Sequence, residues 1–339
     1  MSSFATAGEV ADAARAALPS EIWEYVTGGA GAELTVRRNR EALDALPFRP
    51  RVLRDVSACR TDTTFLGIPL ALPVMLAPIG TIGLFDAAGA AAGARAAARA
   101  GTVAFVSVLA VPGLEEVAAA ADASLIYQHY VRGDRAWTLD LFRRAEDAGY
   151  RALCVTVDSP VDGVRERELR LRFDRGAAQP QPNLVGARKE LQATLTWSEL
   201  AWLAEQTDLP LAVKGITHPD DAALAVEAGA QAVIVSNHGG RQLDSLPGTI
   251  EVLGAVVEAV GGRAEVAFDG GVERGSDAVK ALALGARAVL IGRAQCFALA
   301  AGGEDALAGT LGRLRTEVER TLALLGVTAP DQLTPAYVG

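Results

Sequence analysis

The stretch Ala232-Val233-Ile234-Val235-Ser236-Asn237-His238-Gly239-Gly240-Arg241-Gln242-Leu243-Asp244 begins as a short apolar run and ends as a glycine-rich turn. A brief β-branched run bounded by such a turn reads as a buried strand. The turn places an imidazole, His238, and a guanidinium, Arg241, three positions apart at the strand's C-terminal end. There a base and an anion clamp can face one ligand. Two glycines relieve strain in any strand-to-helix turn, but that does not account for the His and Arg beside them. The chain has three histidines, His129, His218 and His238, and only His238 sits in such a context.

Outward from this turn the pattern repeats. Short apolar runs at Pro73 to Ala77, Thr102 to Val106, Ser124 to Gln128, Ala152 to Val157, Leu211 to Lys214, Ala232 to Ser236, Glu265 to Phe268 and Ala288 to Ile291 read as eight strands. Amphipathic, alanine-rich segments separate them, among them Trp137 to Ala148, Pro219 to Ala228, Thr249 to Val260 and Ser276 to Leu284. Strand and helix in alternation imply a parallel sheet, and eight such units can close into a (β/α)8 barrel. A doubly wound open sheet would bring a glycine-rich dinucleotide turn after its first strand; the first strand here ends in Ala77-Pro78-Ile79-Gly80, which does not match.

A chain of 339 residues, half of them hydrophobic, suits one barrel domain. The first seventy residues are expected as a helical extension closing the barrel's bottom, with Tyr25 to Gly29 turning back toward the site. Roughly fifty residues from Asp158 to Pro210 join strands four and five, and a connection of that length is expected to be a mobile element beside the site. The net charge of -9 offers no basic field for nucleic acid or anionic lipid, so small molecules are the expected partners. Cys59, Cys154 and Cys296 are scattered and odd in number, which argues against a disulfide framework or a metal cluster. With no export signal and no membrane-length apolar run, the expected location is cytoplasmic.

In a (β/α)8 barrel the chemistry gathers at the C-terminal strand ends. Those ends carry Pro78 and Gly80; Ser107; Gln128 and Tyr130; Thr156 and Asp158; Lys214; Ser236, His238 and Arg241; Asp269-Gly270-Gly271; and Gly292-Arg293. The last two groups have the character of a phosphate site, glycine amides with Arg274 or Arg293 supplying charge, which points to a phosphate-bearing cofactor. Lys214 reads as a fixed positive charge beside an electron-accepting ring or as a Schiff-base nucleophile. An aldolase of the second kind would not need His238 and Arg241 together with a further arginine, Arg165.

These residues resemble the FMN-dependent α-hydroxy acid oxidase and dehydrogenase family, over nearly the whole chain. The motifs are Pro50 to Val56, Thr156-Val157-Asp158-Ser159-Pro160, Val213-Lys214-Gly215, Ser236 to Asp244, Asp269 to Gly275 and Ile291-Gly292-Arg293. The resemblance implies that His238 is the active-site base, oriented by Asp158, and that Arg165 and Arg241 hold a substrate carboxylate while Tyr25 and Tyr130 hydrogen-bond the substrate. It implies that FMN lies against Ala77, Pro78, Ile79, Gly80, Ser107, Gln128, Thr156, Lys214 and Ser236, with its phosphate end near Asp269, Gly270, Gly271, Arg274, Gly292 and Arg293. It further implies oxidation of an L-2-hydroxy acid to the 2-oxo acid, reoxidation by O2 or another acceptor, and a homotetramer. An FMN-dependent isomerase or a non-catalytic flavoprotein on the same barrel is the alternative; the first needs no carboxylate clamp, and the second would typically have lost His238 or an arginine.

Three departures from the family pattern bear on substrate size. Gly80 stands where alanine is usual, Leu109 where an aromatic is common, and Val161 where a larger residue is found. Together they suggest a roomy apolar pocket for an aromatic or branched acid such as mandelate. His129 replaces an apolar residue, and strand alternation turns it away from the site.

Overall fold

The computed structural model describes residues 4–174 and 177–339. A short antiparallel hairpin, β1 (Thr63–Phe65) and β2 (Ile68–Leu70), precedes eight parallel strands. These are β3 (Val74–Leu76), β4 (Val103–Ser107), β5 (Ser124–His129), β6 (Ala152–Thr156), β7 (Leu211–Ile216), β8 (Ala232–Val235), β9 (Glu265–Phe268) and β10 (Ala288–Ile291). They close in sequence order, β10 pairing with β3, so the fold is a (β/α)8 barrel.

Side-chain alternation sorts the strands into two cores. Met75, Phe105, Ile126, Cys154, Ala212, Ile234, Ala267 and Leu290 fill the barrel interior, while the residues between them pack outward on the helices. Continuing that parity toward the C-terminal end places Ala77, Ser107, Gln128, Thr156, Lys214, Ser236, Asp269 and Gly292 in one inward layer above the apolar plug. The layer is polar because it is where the apolar filling stops.

The helices are α1 (Ala7–Ala17), α2 (Ser20–Thr27), α3 (Leu34–Ala45), α4 (Ala90–Ala100), α5 (Leu114–Ala119), α6 (Arg135–Asp147), α7 (Glu166–Leu171), α8 (Trp197–Ala204), α9 (Pro219–Glu227), α10 (Thr249–Val260), α11 (Gly275–Ala283) and α12 (Arg293–Leu325). The last breaks at Gly302 and Gly303, whose backbone angles leave the helical region. Among the described residues no helix is long and apolar enough to cross a membrane.

The N-terminal segment departs from expectation. The bottom is closed by the hairpin rather than by helices: Phe65, Ile68 and Leu70 join the interior core, and the Leu66 amide donates to Glu265 at the start of β9, 2.7 Å away. Its tight turn places Leu66 and Gly67 both at positive φ, 50° and 72°. Helices α2 and α3 lie instead on the rim at the C-terminal end, where the Ala30 amide donates to the Gly240 carbonyl at 2.8 Å.

The long β6–α8 connection, expected to be mobile, is anchored at its described residues. Buried Gln179, Asn183 and Gln192 hydrogen-bond the backbone of the strand-end turns beneath them. Residues 175–176 lie outside the described residues.

His129, fully buried on the outward face of β5, packs against Tyr127, Trp137 and Phe142. Neither ring nitrogen has a hydrogen-bond partner among the described residues, and burial pulls its pKa down to about 3. Below a pH of about 6.5 the unfolded chain takes up a proton that the folded protein cannot, so this residue destabilises the fold progressively as pH falls from there toward 3. A His129→Phe variant is expected to lose less Tm than the parent between pH 7.5 and pH 5, read by thermal melts; equal losses would contradict the assignment.

Candidate active site

The turn after β8 holds three consecutive residues in the left-handed region, His238 (φ 59°), Gly239 (φ 62°) and Gly240 (φ 76°). A histidine there is strained and persists only when its surroundings over-determine it. Here the His238 amide donates to Ser236 Oγ at 3.1 Å, and the Gly240 amide donates to Asn237 Oδ1 at 3.2 Å. Asn237 and Asn39 exchange amide hydrogen bonds at 2.9 and 2.8 Å, locking α3 onto the turn. Neither glycine tolerates a side chain well: a Cβ on Gly240 would stand 2.7 Å from the Val36 nitrogen.

The imidazole so placed donates from Nδ1 to Asp158 Oδ1 at 2.9 Å, which leaves Nε2 as the free acceptor, 3.5 Å from the Tyr130 hydroxyl. Burial alone would raise the Asp158 pKa, but the His238 charge and hydrogen bond, with Lys214 nearby, hold it below the ordinary carboxylate range. Burial and the Asp158 charge push Tyr130 up to about 12, so it remains a hydrogen-bond donor. The β7–β8 register slips between Lys214 and Ile216, and Gly215 in the slip has φ 110°. A Cβ there would fall 2.7 Å from Asp158 Cβ and Cγ. The bulge is therefore what lets the carboxylate stand behind the imidazole.

Arg165 and Arg241 line the same cavity. One oxygen, Glu168 Oε1, accepts from both guanidiniums, at 3.3 and 3.1 Å. Arg165 also donates to the Arg241 carbonyl at 2.9 Å and to Gln242 Oε1 at 3.0 Å. Arg241 donates to the carbonyls of Tyr25 and Gly28 and lies 4.7 Å from the Tyr25 ring centroid. Tyr25 lines the cavity with its hydroxyl 2.8 Å from Thr81 Oγ1. Both guanidiniums thus stand at the cavity wall around one shared carboxylate.

Lys214 bonds Ser236 Oγ at 2.7 Å and Asp269 Oδ2 at 2.8 Å. Burial opposes its charge, but Asp269 and Asp158 outweigh burial and raise its pKa, so it stays an ammonium. That charge state does not suit a Schiff-base nucleophile.

The cavity has a volume of about 700 Å³ and runs from His238, Tyr130 and Arg165 past Ala77, Pro78, Ile79 and Gly80 to Gly270, Gly271, Gly292 and Arg293. Two of its lining atoms, Thr156 Oγ1 and Asp269 Oδ1, are buried without a hydrogen-bond partner among the described residues. Leaving a buried polar atom unpaired costs ~1–3 kcal/mol, which a polar heterocycle lying on this layer would offset. At the far end the start of α12 offers backbone amides to an anion. Arg293 is there, but its guanidinium already donates to the carbonyls of Val26, Gly239 and Gly28, and burial together with the Arg241 charge pulls its pKa down to about 10.

Some expected cofactor residues sit elsewhere. Arg274 is not among the residues lining the cavity: its half-exposed guanidinium lies 3.7 Å from Glu273, and Glu273 is the one that lines the cavity. Ser107, Gln128 and Ser236 belong to the inward layer but are buried beneath the open cavity. The missing methyl at Gly80 does not leave a void, because a Cβ there would meet Leu109 Cβ and Cδ1 at 3.0 Å; Leu109 has moved into that space. Val161 is exposed and does not line the cavity. Sequence reasoning also missed Glu168, whose i,i+3 spacing from Arg165 was the available signal, and Asn39, whose partner lies 198 positions away.

A barrel with a polar inner layer, an anion-accepting far end and a base beside two arginines defines a flavin-dependent oxidoreductase. The model of the FMN-dependent dehydrogenase family matches residues 14–339, and the chain belongs to that family, with FMN as its cofactor. It is 40% identical to glycolate oxidase 1 of Oryza sativa subsp. indica, over 96% of this chain and 93% of that protein. It is likewise 40% identical to an L-lactate oxidase of a Nostoc species, over 96% of this chain and 95% of the relative. A crystal structure of mandelate oxidase with (S)-2-phenylpropionate superposes with a TM-score of 0.93 at 39% identity, covering 99% of this chain and 98% of the other.

A Gly215→Ala variant is expected to retain FMN while kcat falls roughly tenfold or more, because the new methyl displaces Asp158 from His238. Unchanged kcat at full flavin occupancy would contradict the role given to the bulge.

Proposed function

We propose that the protein oxidises an L-2-hydroxy acid to the corresponding 2-oxo acid. The observation that carries this reading is the convergence of a free imidazole nitrogen and two guanidiniums on one cavity. Arg165 and Arg241 hold the substrate carboxylate, and two planar donors fix its orientation. Tyr25 and Tyr130 hydrogen-bond the substrate's oxygens. His238 Nε2 accepts a proton from the held substrate, from its α-carbon or its hydroxyl, and Asp158 stabilises the imidazolium that results.

FMN supplies a two-electron acceptor that is then reoxidised by O2 or another acceptor. Ala77, Pro78, Ile79, Gly80 and Thr156 would hold its ring and chain, with Ser107, Gln128 and Ser236 completing the polar layer beneath them. Gly270, Gly271, Gly292 and Arg293, with Asp269, would hold the phosphate end. Lys214, held as an ammonium, would supply positive charge beside the ring. An isomerase would not require the two arginines, and a non-catalytic binder would not require the Asp158–His238 pair.

The substrate side chain lies between Leu109, Phe173 and Tyr25, all of which line the cavity. This apolar wall, and the likeness to mandelate oxidase, support an aromatic or branched acid such as mandelate. A homotetramer is proposed on the family likeness alone. A cytoplasmic location goes with it, supported by three free thiols.

Without oxygen, mandelate is expected to bleach the flavin band near ~450 nm faster than glycolate does, and readmitted air separates oxidase from dehydrogenase. Faster reduction by glycolate would overturn the assignment of substrate size, and no bleaching by any 2-hydroxy acid would overturn the proposal.

A further inference from the structure

Of the buried carboxamides in the long β6–α8 connection, Gln179 is the one that bonds Gly80 and Leu109, both of which line the cavity. Its Nε2 donates to the Gly80 carbonyl at 2.6 Å and to the Leu109 carbonyl at 3.0 Å, and its Oε1 accepts from the Gly83 amide at 3.1 Å. One side chain thus ties the turn after β3 to the turn after β4. Asn183 instead bonds Val108 and Leu114, and Gln192 bonds Val131 and Thr156.

The distance between those two turns decides how much of the cavity Leu109 occupies. No room for a methyl remains between Gly80 and Leu109, since a Cβ on Gly80 would stand 3.0 Å from the leucine side chain. The fit continues at Gly83, where a Cβ would lie 2.9 Å from Gln179 Oε1 and 2.5 Å from Val111 Cγ1. Two carbonyls need a donor and one amide needs an acceptor, a demand that a neutral carboxamide meets and a carboxylate or thioether does not. Loss of the amide would leave three backbone groups unpaired in a buried place, and the turns would separate to reach water.

We propose that Gln179 is a positioning residue that determines substrate specificity: it holds Leu109 down over Gly80 and so sets the size of side chain the active site accepts. This rests on the 2-hydroxy acid reading above. Gln179 does not line the cavity, so it acts through Leu109 and leaves the proton-accepting groups untouched.

The test compares kcat/KM for mandelate and for glycolate, which has no side chain to meet Leu109, in the parent, Gln179→Met, Asn183→Leu and Leu109→Ala, each purified with bound FMN. Gln179→Met is expected to change the mandelate-to-glycolate ratio by about fivefold or more with glycolate kcat little altered. Asn183→Leu should lower Tm without changing the ratio. In a Leu109→Ala background the Gln179→Met effect on the ratio should vanish, as for residues that act through one another. An unchanged ratio in Gln179→Met, or an equal change in Asn183→Leu, overturns the inference. Should Gln179→Met fail to fold, Leu109→Ala alone decides, since a ratio unaffected by removing the leucine removes the lever through which Gln179 acts. A parent that neither acid reduces overturns the 2-hydroxy acid reading, and the inference with it; a parent that turns over both acids while the variants keep its ratio overturns the inference alone.

Discussion

The site depends on a histidine held in a left-handed backbone conformation and tied to a buried carboxylate. With His238, Gly239 and Gly240 all at positive φ, the chain turns sharply three residues after β8 ends at Val235. The imidazole and Arg241 then both line the cavity. Neither strain nor burial favours this arrangement by itself. It is maintained by Ser236 and Asn237 beneath, by Asn39 from α3, and by Asp158 from the end of β6 two strands away, which can stand there because Gly215 has no side chain.

Charge balance is the second condition. Lys214 with Asp269, His238 with Asp158, and Arg165 and Arg241 sharing Glu168 are all largely buried, and a buried charge persists only when paired. The third presents two planar guanidiniums at the cavity wall, donors of the kind that pair with a carboxylate. Asp269 Oδ1 and Thr156 Oγ1, both unpaired, mark the part of the cavity where hydrogen bonds remain to be made by the cofactor.

Most of the barrel was legible because its strands, three to six residues long, are buried on both faces and read as apolar runs. Once those runs are aligned, parity alone delivers the inward layer from Ala77 to Gly292. The hairpin Thr63–Leu70 escaped notice because its three-residue strands are not buried on both faces and so do not read as apolar runs. The anchoring of the β6–α8 connection escaped for a different reason: polar, proline-containing sequence reads as loop, and nothing local tells that Gln179 meets Gly80 or that Gln192 meets Thr156. Arg274 illustrates the converse error. Its place beside the glycines suggested a phosphate ligand, yet the turn into α11 leaves it half exposed and Glu273 on the cavity.

His238 Nε2 is proposed to take the proton whose departure accompanies flavin reduction. The direct measurement is the rate of anaerobic flavin reduction in a His238→Ala variant that retains FMN, followed by stopped-flow absorbance with the best 2-hydroxy acid. The yellow flavin is expected to remain bound and oxidised, with reduction slowed by roughly a hundredfold or more. Reduction at the parent rate would contradict it.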